Sequence, residues 1–275
     1  MKLKNGIKEI IRTIGLASVA DRVRYMLHRV LNRKANKAAK QHYKDVIFPP
    51  DYYMYETYRL NYRDYYEDGK QTAMEIHALF KPYFQAESTI VLLDWGCGPG
   101  RVVGHLPALV ADGSRIIGMD YNQHYIQWCS DNIKAVSFFT NPLQPPISLD
   151  ANSVDGCYGL SIITHLSEAL HHSWVAEFYR ILKPGGVLLI TTHGAHFKSK
   201  LNVEEQIVFE SGNIVIKASG KEGHRVYAAF QPTTYMENLF IKNGLKILRF
   251  IPGGQPESIH GWQDTWLVQK PLFQG

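Results

Sequence analysis

From residue 90 onward, short apolar runs alternate with segments of helical periodicity. Glycine, proline and polar turn residues bound the apolar runs, which is typical of buried strands. Strands are therefore predicted at 90–94, 115–120, 135–139, 154–160 and 186–192, with helices between them at about 100–110, 122–134 and 168–182. Such alternation is typical of a parallel sheet covered by helices on both faces. The pattern predicts an α/β fold.

The C-terminal part of the chain changes pattern. Residues 197–230 alternate with a period of two around turn residues at 211–213 and 220–223, which predicts antiparallel hairpins that form a cap. The remaining elements are a helix and two last strands expected to pair as a hairpin, at 233–243, 245–250 and 265–269. With these two strands the predicted sheet has seven strands and is mostly parallel.

Residues 1–47 are predicted to form a basic amphipathic helical arm. Its apolar residues occupy two helical faces, rotated relative to each other at Gly15, which predicts a kink or two short helices. The faces consist of Ile7, Ile10, Ile11 and Ile14, and of Leu16, Val19, Val23, Met26, Leu27 and Val30. Residues 1–44 carry 12 Lys and Arg against 2 Asp and Glu, whereas the whole chain has a net charge of +5.

Three functions of the arm remain open from the sequence. It could pack on the body of the protein or on a second subunit of a homo-oligomer, with its charges solvated. It could instead lie on an anionic membrane surface as a peripheral contact. Nucleic-acid binding is the weakest of the three, because no basic and aromatic platform accompanies the charge.

A tyrosine-rich segment follows a Phe48-Pro49-Pro50 linker. Seven tyrosines crowd there, namely Tyr52, Tyr53, Tyr55, Tyr58, Tyr62, Tyr65 and Tyr66, and the spacing of positions 55, 58, 62 and 65 or 66 follows one helical face. They could form a stripe packed on a core, because aromatic stripes usually bury area. They could also belong to a helical lid, residues 51–84, that faces a cationic ligand.

The composition excludes several classes of protein. No apolar run approaches the roughly 20 residues that span a bilayer, and the N-terminus lacks the apolar core of a signal peptide. Cys97, Cys129 and Cys157 are odd in number and widely spaced, so neither a disulfide framework nor a metal site is predicted. Free thiols fit a reducing environment, and we expect a cytoplasmic protein.

The most informative segment is a glycine-rich turn after the first predicted strand. Residues 91–101 read Val-Leu-Leu-Asp-Trp-Gly-Cys-Gly-Pro-Gly-Arg, with glycines at alternate positions and an acid, Asp94, before the first of them. Glycine lacks a Cβ and allows the main chain to approach a ligand closely. The dinucleotide fingerprint would need a third glycine where Arg101 stands, and it has no use for Asp94.

With its acid, this turn resembles the first motif of class I S-adenosylmethionine (SAM) dependent methyltransferases. The Leu-Lys-Pro-Gly-Gly sequence at 182–186 stands where that family has the same motif before its fifth strand. The resemblance covers about residues 70–270. It implies a Rossmann-like fold, SAM as cofactor and a methyltransferase domain over 48–275.

The resemblance also implies roles for individual residues. Asp94 would hold the methionine ammonium, and Asp120, at the end of the second strand, would bind both ribose hydroxyls. The turn residues Gly96, Cys97, Gly98 and Gly100 would lie beside the methionine part of SAM. Asp94 as a helix cap and Asp120 as a turn acid are the structural alternatives.

Four further residues complete the implied cofactor site. Tyr121 would flank the adenine, and Asn141 stands where the family often has an Asp that binds the adenine amino group. An amide oxygen can accept the same hydrogen bond. Gly159 and Leu160, at the end of the fourth strand, would lie alongside the methionine and the reactive methyl group.

Two histidines are candidate catalytic bases. A hydroxyl acceptor must lose a proton as the new bond forms, and imidazole has a suitable pKa for that step. His165 follows the fourth strand and His193 follows the fifth. No pair of metal ligands at a suitable spacing is present, so a metal-assisted mechanism is not expected.

Three fragments are similar to a bacterial subgroup of these enzymes found with glycan and polysaccharide biosynthesis genes. They occupy 161–166, 182–194 and 262–268. The similarity implies a sugar hydroxyl as acceptor, on a lipid-linked or nucleotide-linked glycan. The basic arm would suit work at the inner membrane surface. A small-molecule, natural-product or lipid O- or N-methyltransferase and a non-catalytic SAM-binding subunit remain alternatives. An RNA or protein substrate is disfavoured, because the body of the chain is net negative and the motif of base-amino methylation is missing.

Overall fold

The computed structural model describes residues 17–218, 221–224 and 226–272, without the side chains at 17, 18, 20 and 218. The chain divides into two compact units, residues 1–69 and 70–275. The expected arm boundary after residue 47 stays a prediction, and the tyrosine-rich segment falls largely in the first unit. The apolar face predicted from Ile7, Ile10, Ile11 and Ile14 and the kink at Gly15 lie outside the described residues.

The described part of the first unit is helical. Its helices are α1 (Ala17–Leu31), α2 (Arg33–His42), α3 (Asp51–Thr57) and the beginning of α4 (Tyr62–Phe80), which continues into the second unit. They enclose a small core that consists of Ala39, Met54, Tyr55, Leu60, Tyr62 and Tyr65.

Two buried tyrosines of this unit bind carboxylates with their hydroxyls. Tyr55 donates to Asp21 at 2.9 Å, and Tyr62 donates to Asp51 at 2.6 Å. A buried hydroxyl is costly unless it is hydrogen-bonded, so these pairs allow tyrosine to serve as core. The packed-stripe interpretation agrees with these contacts. The lid interpretation stays a prediction.

The second unit is built on a seven-stranded sheet, as predicted. Its strands are β1 (Val91–Trp95), β2 (Arg115–Asp120), β3 (Ser137–Thr140), β4 (Val154–Gly159), β5 (Leu182–Thr192), β8 (Lys246–Ile251) and β9 (Asp264–Gln269). The order is β3-β2-β1-β4-β5-β9-β8, with β9 antiparallel to both β5 and β8 and the other neighbouring pairs parallel. Strand order reverses between β1 and β4, which is where open α/β sheets bind ligands. The Rossmann-like prediction is confirmed.

Helices α5 (Gln123–Asn132), α6 (Glu168–Ile181) and α8 (Thr233–Lys242) agree with the predicted positions. The segment at 100–110 does not form the expected α-helix: residues Val103–Leu109 form a 3₁₀ helix instead. Pro107 lies inside it and has no N–H to donate, which disfavours a continuous α-helix.

The prediction for 197–230 is partly wrong. The segment contains a 3₁₀ turn (Ala195–Lys200), helix α7 (Val203–Glu210) and one hairpin, β6 (Val215–Ala218) with β7 (Tyr227–Phe230). The turn at 211–213 therefore ends a helix and does not join two strands. Asn202 and Glu205 form a reciprocal capping box at the start of α7, which favours the helix over the period-two pattern.

Two apolar cores cover the two faces of the sheet. One contains Trp95, Trp174 and Phe178, and the other contains Phe80 and Leu92. Within the described parts of the chain, none of the helices is long and apolar enough to cross a membrane.

Phe178→Ala should lower the free energy of unfolding by about 3–5 kcal/mol, because it leaves a cavity in a packed core. Phe178 is fully buried, and its ring centroid lies 4.9 Å from that of Trp95. Urea denaturation checks the loss. Phe139→Ala is the matched control, since Phe139 is 43% exposed, and it should cost less than about 1 kcal/mol. Equal losses for both variants would contradict the assigned core.

Candidate functional site

A cavity opens at the carboxyl ends of β1, β2 and β3, beside the point where strand order reverses. Its lining residues are Trp95, Gly96, Asp120, Tyr121, Asn141, Leu143, Ile162, His165, Leu166, Trp174 and Gly223. The structure thus brings together five of the residues predicted from the sequence. The other predicted residues lie behind or beside this lining.

The glycine turn after β1 is tied to the end of β2. The backbone N–H groups of Gly96 and Cys97 both donate to the carbonyl of Met119, at 2.7 and 2.8 Å. Gly96 has a φ of +77°, and a Cβ there would lie 2.2 Å from Cδ1 of Ile162. Only glycine fits this position, and the main chain consequently forms part of the cavity wall.

The carboxylate of Asp120 is held in place by two backbone donors. Gly98 N–H donates to Oδ2 at 2.9 Å, and Asn122 N–H donates to Oδ1 at 2.8 Å. An ionised carboxylate has about four acceptor positions. Asp120 also lines the cavity. The bond from Asn122 N–H is the contact expected of a turn acid, and the bond from Gly98 N–H ties the same carboxylate to the glycine turn.

Asn141 presents an acceptor to the same cavity. Its Nδ2 donates to the carbonyl of Pro142 at 2.8 Å, which leaves Oδ1 as the free end of the amide. Oδ1 is buried, and no donor among the described residues hydrogen-bonds it. A buried acceptor without a partner is costly unless a ligand or water supplies a donor.

Asp94 lies deeper than the cavity lining. It is 4% exposed, and burial raises the pKa of its carboxyl from 3.8 to about 7, while the nearby Tyr158 hydroxyl and the charge of Arg101 act to lower it. Asp94 lies within β1, so it does not cap a helix. Because Asp94 lies beneath the glycine turn, its carboxyl can interact with the turn or, through the turn, with a ligand.

Gly100, Gly159 and Leu160 also lie outside the lining. Gly100 has a φ of +82°, and Gly159 contacts Trp95 so closely that a Cβ would lie 2.5 Å from Cε3 of the indole. Leu160 packs against the second core. Gly159 thus lets Trp95 form the floor of the cavity.

Residues 221–224 cover the cavity. Gly223 N–H donates to the carbonyl of His165 at 2.9 Å, and the hydroxyl of Tyr121 donates to the carbonyl of Gly223 at 3.3 Å. The enclosed volume is about 50 Å³, which is room for a few water molecules.

The two predicted histidines lie side by side, with ring centroids 6.4 Å apart. Nδ1 of His165 is 2.7 Å from the carbonyl of Tyr227, and Nδ1 of His193 is 3.1 Å from that of Ala229. A carbonyl can only accept, so in each ring the proton is on Nδ1 and the lone pair is on Nε2. Both rings are thus in the tautomer that a base acting through Nε2 requires.

Burial lowers the pKa of both imidazoles. For His165, the lowering by burial is partly offset by the hydrogen bond to the Tyr227 carbonyl, which raises the pKa. For His193, burial and the neighbouring His165 both lower the pKa, to about 3. Only His165 lines the cavity. A base works best with a pKa near the operating pH, so His165 is the stronger candidate of the two.

A row of aromatic rings leads outward from the histidines. The ring of His193 lies 4.3 Å from that of Phe197, and His196 stacks on Trp262 at 4.5 Å and 19°. Trp262 is 61% exposed. This row, called the aromatic wall below, runs from His193, whose ring neighbours that of the lining residue His165, to the exposed Trp262.

Sequence reasoning missed a polar cluster beside this wall. Ser161 has a φ of +62°, its N–H donates to Oγ1 of Thr191 at 2.8 Å, and its Oγ accepts from Nε2 of Gln263 at 2.8 Å. Gln263 and Ser161 are 102 positions apart. No local pattern could have paired them. The lining residues Trp174 and Leu143 carry no sequence signal for a site either.

A metal centre is not supported within the described residues. They contain no group of three or more His, Cys, Asp or Glu residues that could hold a metal ion. Cys97, Cys129 and Cys157 are all free and buried.

Comparison with known proteins identifies a matching domain family and matching folds. Residues 93–190 match the family described as methyltransferase domain. The malonyl-[acyl-carrier protein] O-methyltransferase of Yersinia pestis is 29% identical over 108 residues, which cover 39% of this chain and 38% of that protein. The matched segments span between 24% and 45% of the length of the curated relatives.

Solved structures share the fold at low identity. A SAM-dependent methyltransferase from Methanosarcina mazei has a TM-score of 0.54 at 18% identity, over 71% of this chain and 98% of that one. Magnesium protoporphyrin IX methyltransferase from Synechocystis, with bound SAH, has a TM-score of 0.53 at 12% identity, over 88% and 98% of the two chains. The fold of the second unit is that of these methyltransferases.

Asp94→Asn should change the pH dependence of stability. Folding raises the pKa of Asp94, so the folded protein favours the protonated carboxyl. This adds stability below about pH 4, and the added stability is lost as the pH rises to about 7. Asparagine does not titrate. The difference in free energy of unfolding, variant minus wild type, should therefore increase by a few kcal/mol between pH about 4 and about 7 and then level off. Urea denaturation across this range measures it, with Asp112→Asn as the control for loss of an exposed carboxyl. A flat difference would contradict the shift.

Proposed function

We propose that this chain is a SAM-dependent methyltransferase that methylates a hydroxyl of a sugar or glycan, lipid-linked or nucleotide-linked. One observation carries the proposal. Asp120 and the unsatisfied Oδ1 of Asn141 stand at the ends of neighbouring strands and face one cavity beside the Gly96 turn. A carboxylate and a nearby acceptor match the ribose hydroxyls and the amino group of an adenosine. The methyltransferase domain and the relatives that bind SAH support the same cofactor.

The residues present fit SAM. Asp120 would accept from the ribose hydroxyls, Oδ1 of Asn141 would accept from the adenine amino group, and Tyr121 would flank the adenine. The turn of Gly96, Cys97, Gly98 and Gly100 would lie along the methionine part, with Asp94 beneath it to balance the ammonium charge. Gly159 and Leu160 would border the passage to the acceptor. These assignments rest on the placement of each residue at or next to the cavity.

SAM, when bound, supplies an electrophilic methyl group on a sulfonium that is already a good leaving group. The protein must then align the acceptor and remove its proton. His165 can take that proton on Nε2, because its Nδ1–H is donated to the carbonyl of Tyr227. The same bond orients the ring and would stabilise the imidazolium that forms. His193 would position the acceptor more than it would act as a base, since its pKa is about 3.

The aromatic wall supports a sugar as acceptor. The C–H faces of a sugar ring pack on aromatic side chains, and the hydroxyls at its edge need hydrogen-bond partners. The aromatic surface for the sugar would come from the rings of His193, Phe197, His196 and Trp262. The cluster of Ser161 and Gln263 would supply hydrogen-bond partners beside these rings. Buried Oε1 of Gln263 has no partner among the described residues, so it can accept from a hydroxyl.

Calorimetric titration with SAM tests the cofactor assignment. Wild type should bind SAM and should not bind NADH. Asp120→Ala should weaken SAM binding by roughly 10- to 150-fold, as expected for loss of charged hydrogen bonds worth about 1.5–3 kcal/mol. Because Asp120 also holds the turn, thermal unfolding must show that the variant is folded at the titration temperature. Asp131→Ala, at an exposed site on α5, should bind like wild type. Unchanged affinity in Asp120→Ala would remove the ribose role.

Transfer of labelled methyl from SAM to a panel of nucleotide sugars and glycolipids tests the acceptor class. If His165 is the base, His165→Gln should lower turnover about a hundredfold or more and leave SAM affinity unchanged. His172→Gln, at an exposed histidine on α6, is the control and should retain turnover. Equal loss of turnover and SAM affinity in His165→Gln would indicate a structural role. SAM binding with transfer only to non-sugar acceptors would overturn the sugar proposal.

A further inference from the structure

Helix α1 exposes a continuous apolar row. Successive members are one, three or four positions apart, so they share one side of the helix. Each is between 51% and 78% exposed, and they are Val19, Val23, Met26, Leu27, Val30 and Leu31. Single exposed apolar residues are ordinary, but a contiguous row on one helix marks an interaction surface.

The opposite side of α1 is committed to the core of the first unit. Asp21 accepts a hydrogen bond from Tyr55, and the ring of Tyr25 lies 5.4 Å from those of Tyr52 and Tyr55. The ring of His28 lies 5.7 Å from that of Tyr55. These contacts set the rotation of α1 about its own axis. The apolar row therefore faces away from the core that holds the helix.

Basic side chains border the apolar row on both sides. At about 100° per residue, Arg22 and Arg29 fall along one border and Arg24 along the other. Arg29 also lines a groove of about 700 Å³, where its Nε lies 3.3 Å from Oδ2 of Asp51. Basic residues of α2 line the same groove. Those residues are Arg33, Lys37 and Lys40. Residues 17–44 hold eight Lys and Arg against one acid, Asp21.

We propose that α1 and the basic edge of α2 form a docking surface for an anionic lipid bilayer. An apolar row with cations along its borders fits the plane of a membrane interface: the apolar side chains enter the acyl boundary and the cations meet lipid phosphates. A nucleic acid would match the cations but would leave the apolar row in water. A second protein chain would have to carry both an apolar strip and acidic borders. The proposal is independent of the methyl-transfer activity.

Flotation of the full chain with vesicles tests the proposal. Wild type should float with equimolar phosphatidylcholine and phosphatidylglycerol, and at least about tenfold less with phosphatidylcholine alone. At about 1 M salt, where the Debye length is about 3 Å, binding should fall strongly but not vanish, because the apolar row still contributes. Equal binding to both vesicle types, or none to either, would overturn the proposal.

Variants on each part of the surface locate the binding. Leu27→Ser combined with Val30→Ser should weaken partitioning at least about tenfold, and so should Arg33→Glu combined with Lys37→Glu. All four side chains are exposed, so the fold should be kept, as circular dichroism can verify. The matched controls are Ile241→Ser, for an apolar residue that is 63% exposed in the second unit, and Lys242→Glu beside it.

The competing occupants give different results. If a second copy covers the row, wild type will sediment as a dimer, and Leu27→Ser with Val30→Ser will make it a monomer. If a nucleic acid is the partner, an oligonucleotide will compete with the vesicles, and the charge variant alone will lose binding. Either result, or vesicle binding that both double variants retain, would overturn the proposal.

Discussion

The hydrogen bonds between the glycine turn and the end of β2 are the constraint on which the site depends. Met119 supplies one carbonyl to two successive N–H groups, and Asp120 supplies a carboxylate oxygen to a third. The turn can accept this arrangement only because Gly96 and Gly98 adopt positive φ. The same bonds hold the carboxylate of Asp120 at the cavity. The proposed ribose contact would therefore use a carboxylate that also holds the glycine turn.

A second constraint comes from the β6–β7 hairpin. Carbonyls of Tyr227 and Ala229 take the Nδ1–H of the two histidines, so strand β7 selects the tautomer of both rings. Burial keeps the imidazoles neutral, which leaves a lone pair on each Nε2. The hairpin thus sets the protonation of both histidines through its backbone carbonyls.

The two units solve different physical problems. The second buries two apolar cores against a sheet, and the polar groups that line its cavity follow strand ends. The described core of the first uses tyrosines, and the hydroxyls of Tyr55 and Tyr62 bind carboxylates. That core uses one side of α1 and leaves its apolar row in solvent. The proposed membrane surface is the consequence of this division.

The sequence by itself determined the sheet, the glycine turn and the positions of Asp94, Asp120 and Asn141, because strand ends in a parallel sheet are local features. Only the tertiary structure decided which of these residues line the cavity. It also decided the histidine tautomers and the contact of Ser161 with Gln263, since these join positions far apart in the chain. At α7 the capping box of Asn202 and Glu205 was present in the sequence, but it competed with a period-two pattern. Local periodicity reports burial along one element, whereas hydrogen-bond partners and cavity walls come from elements that meet only after folding.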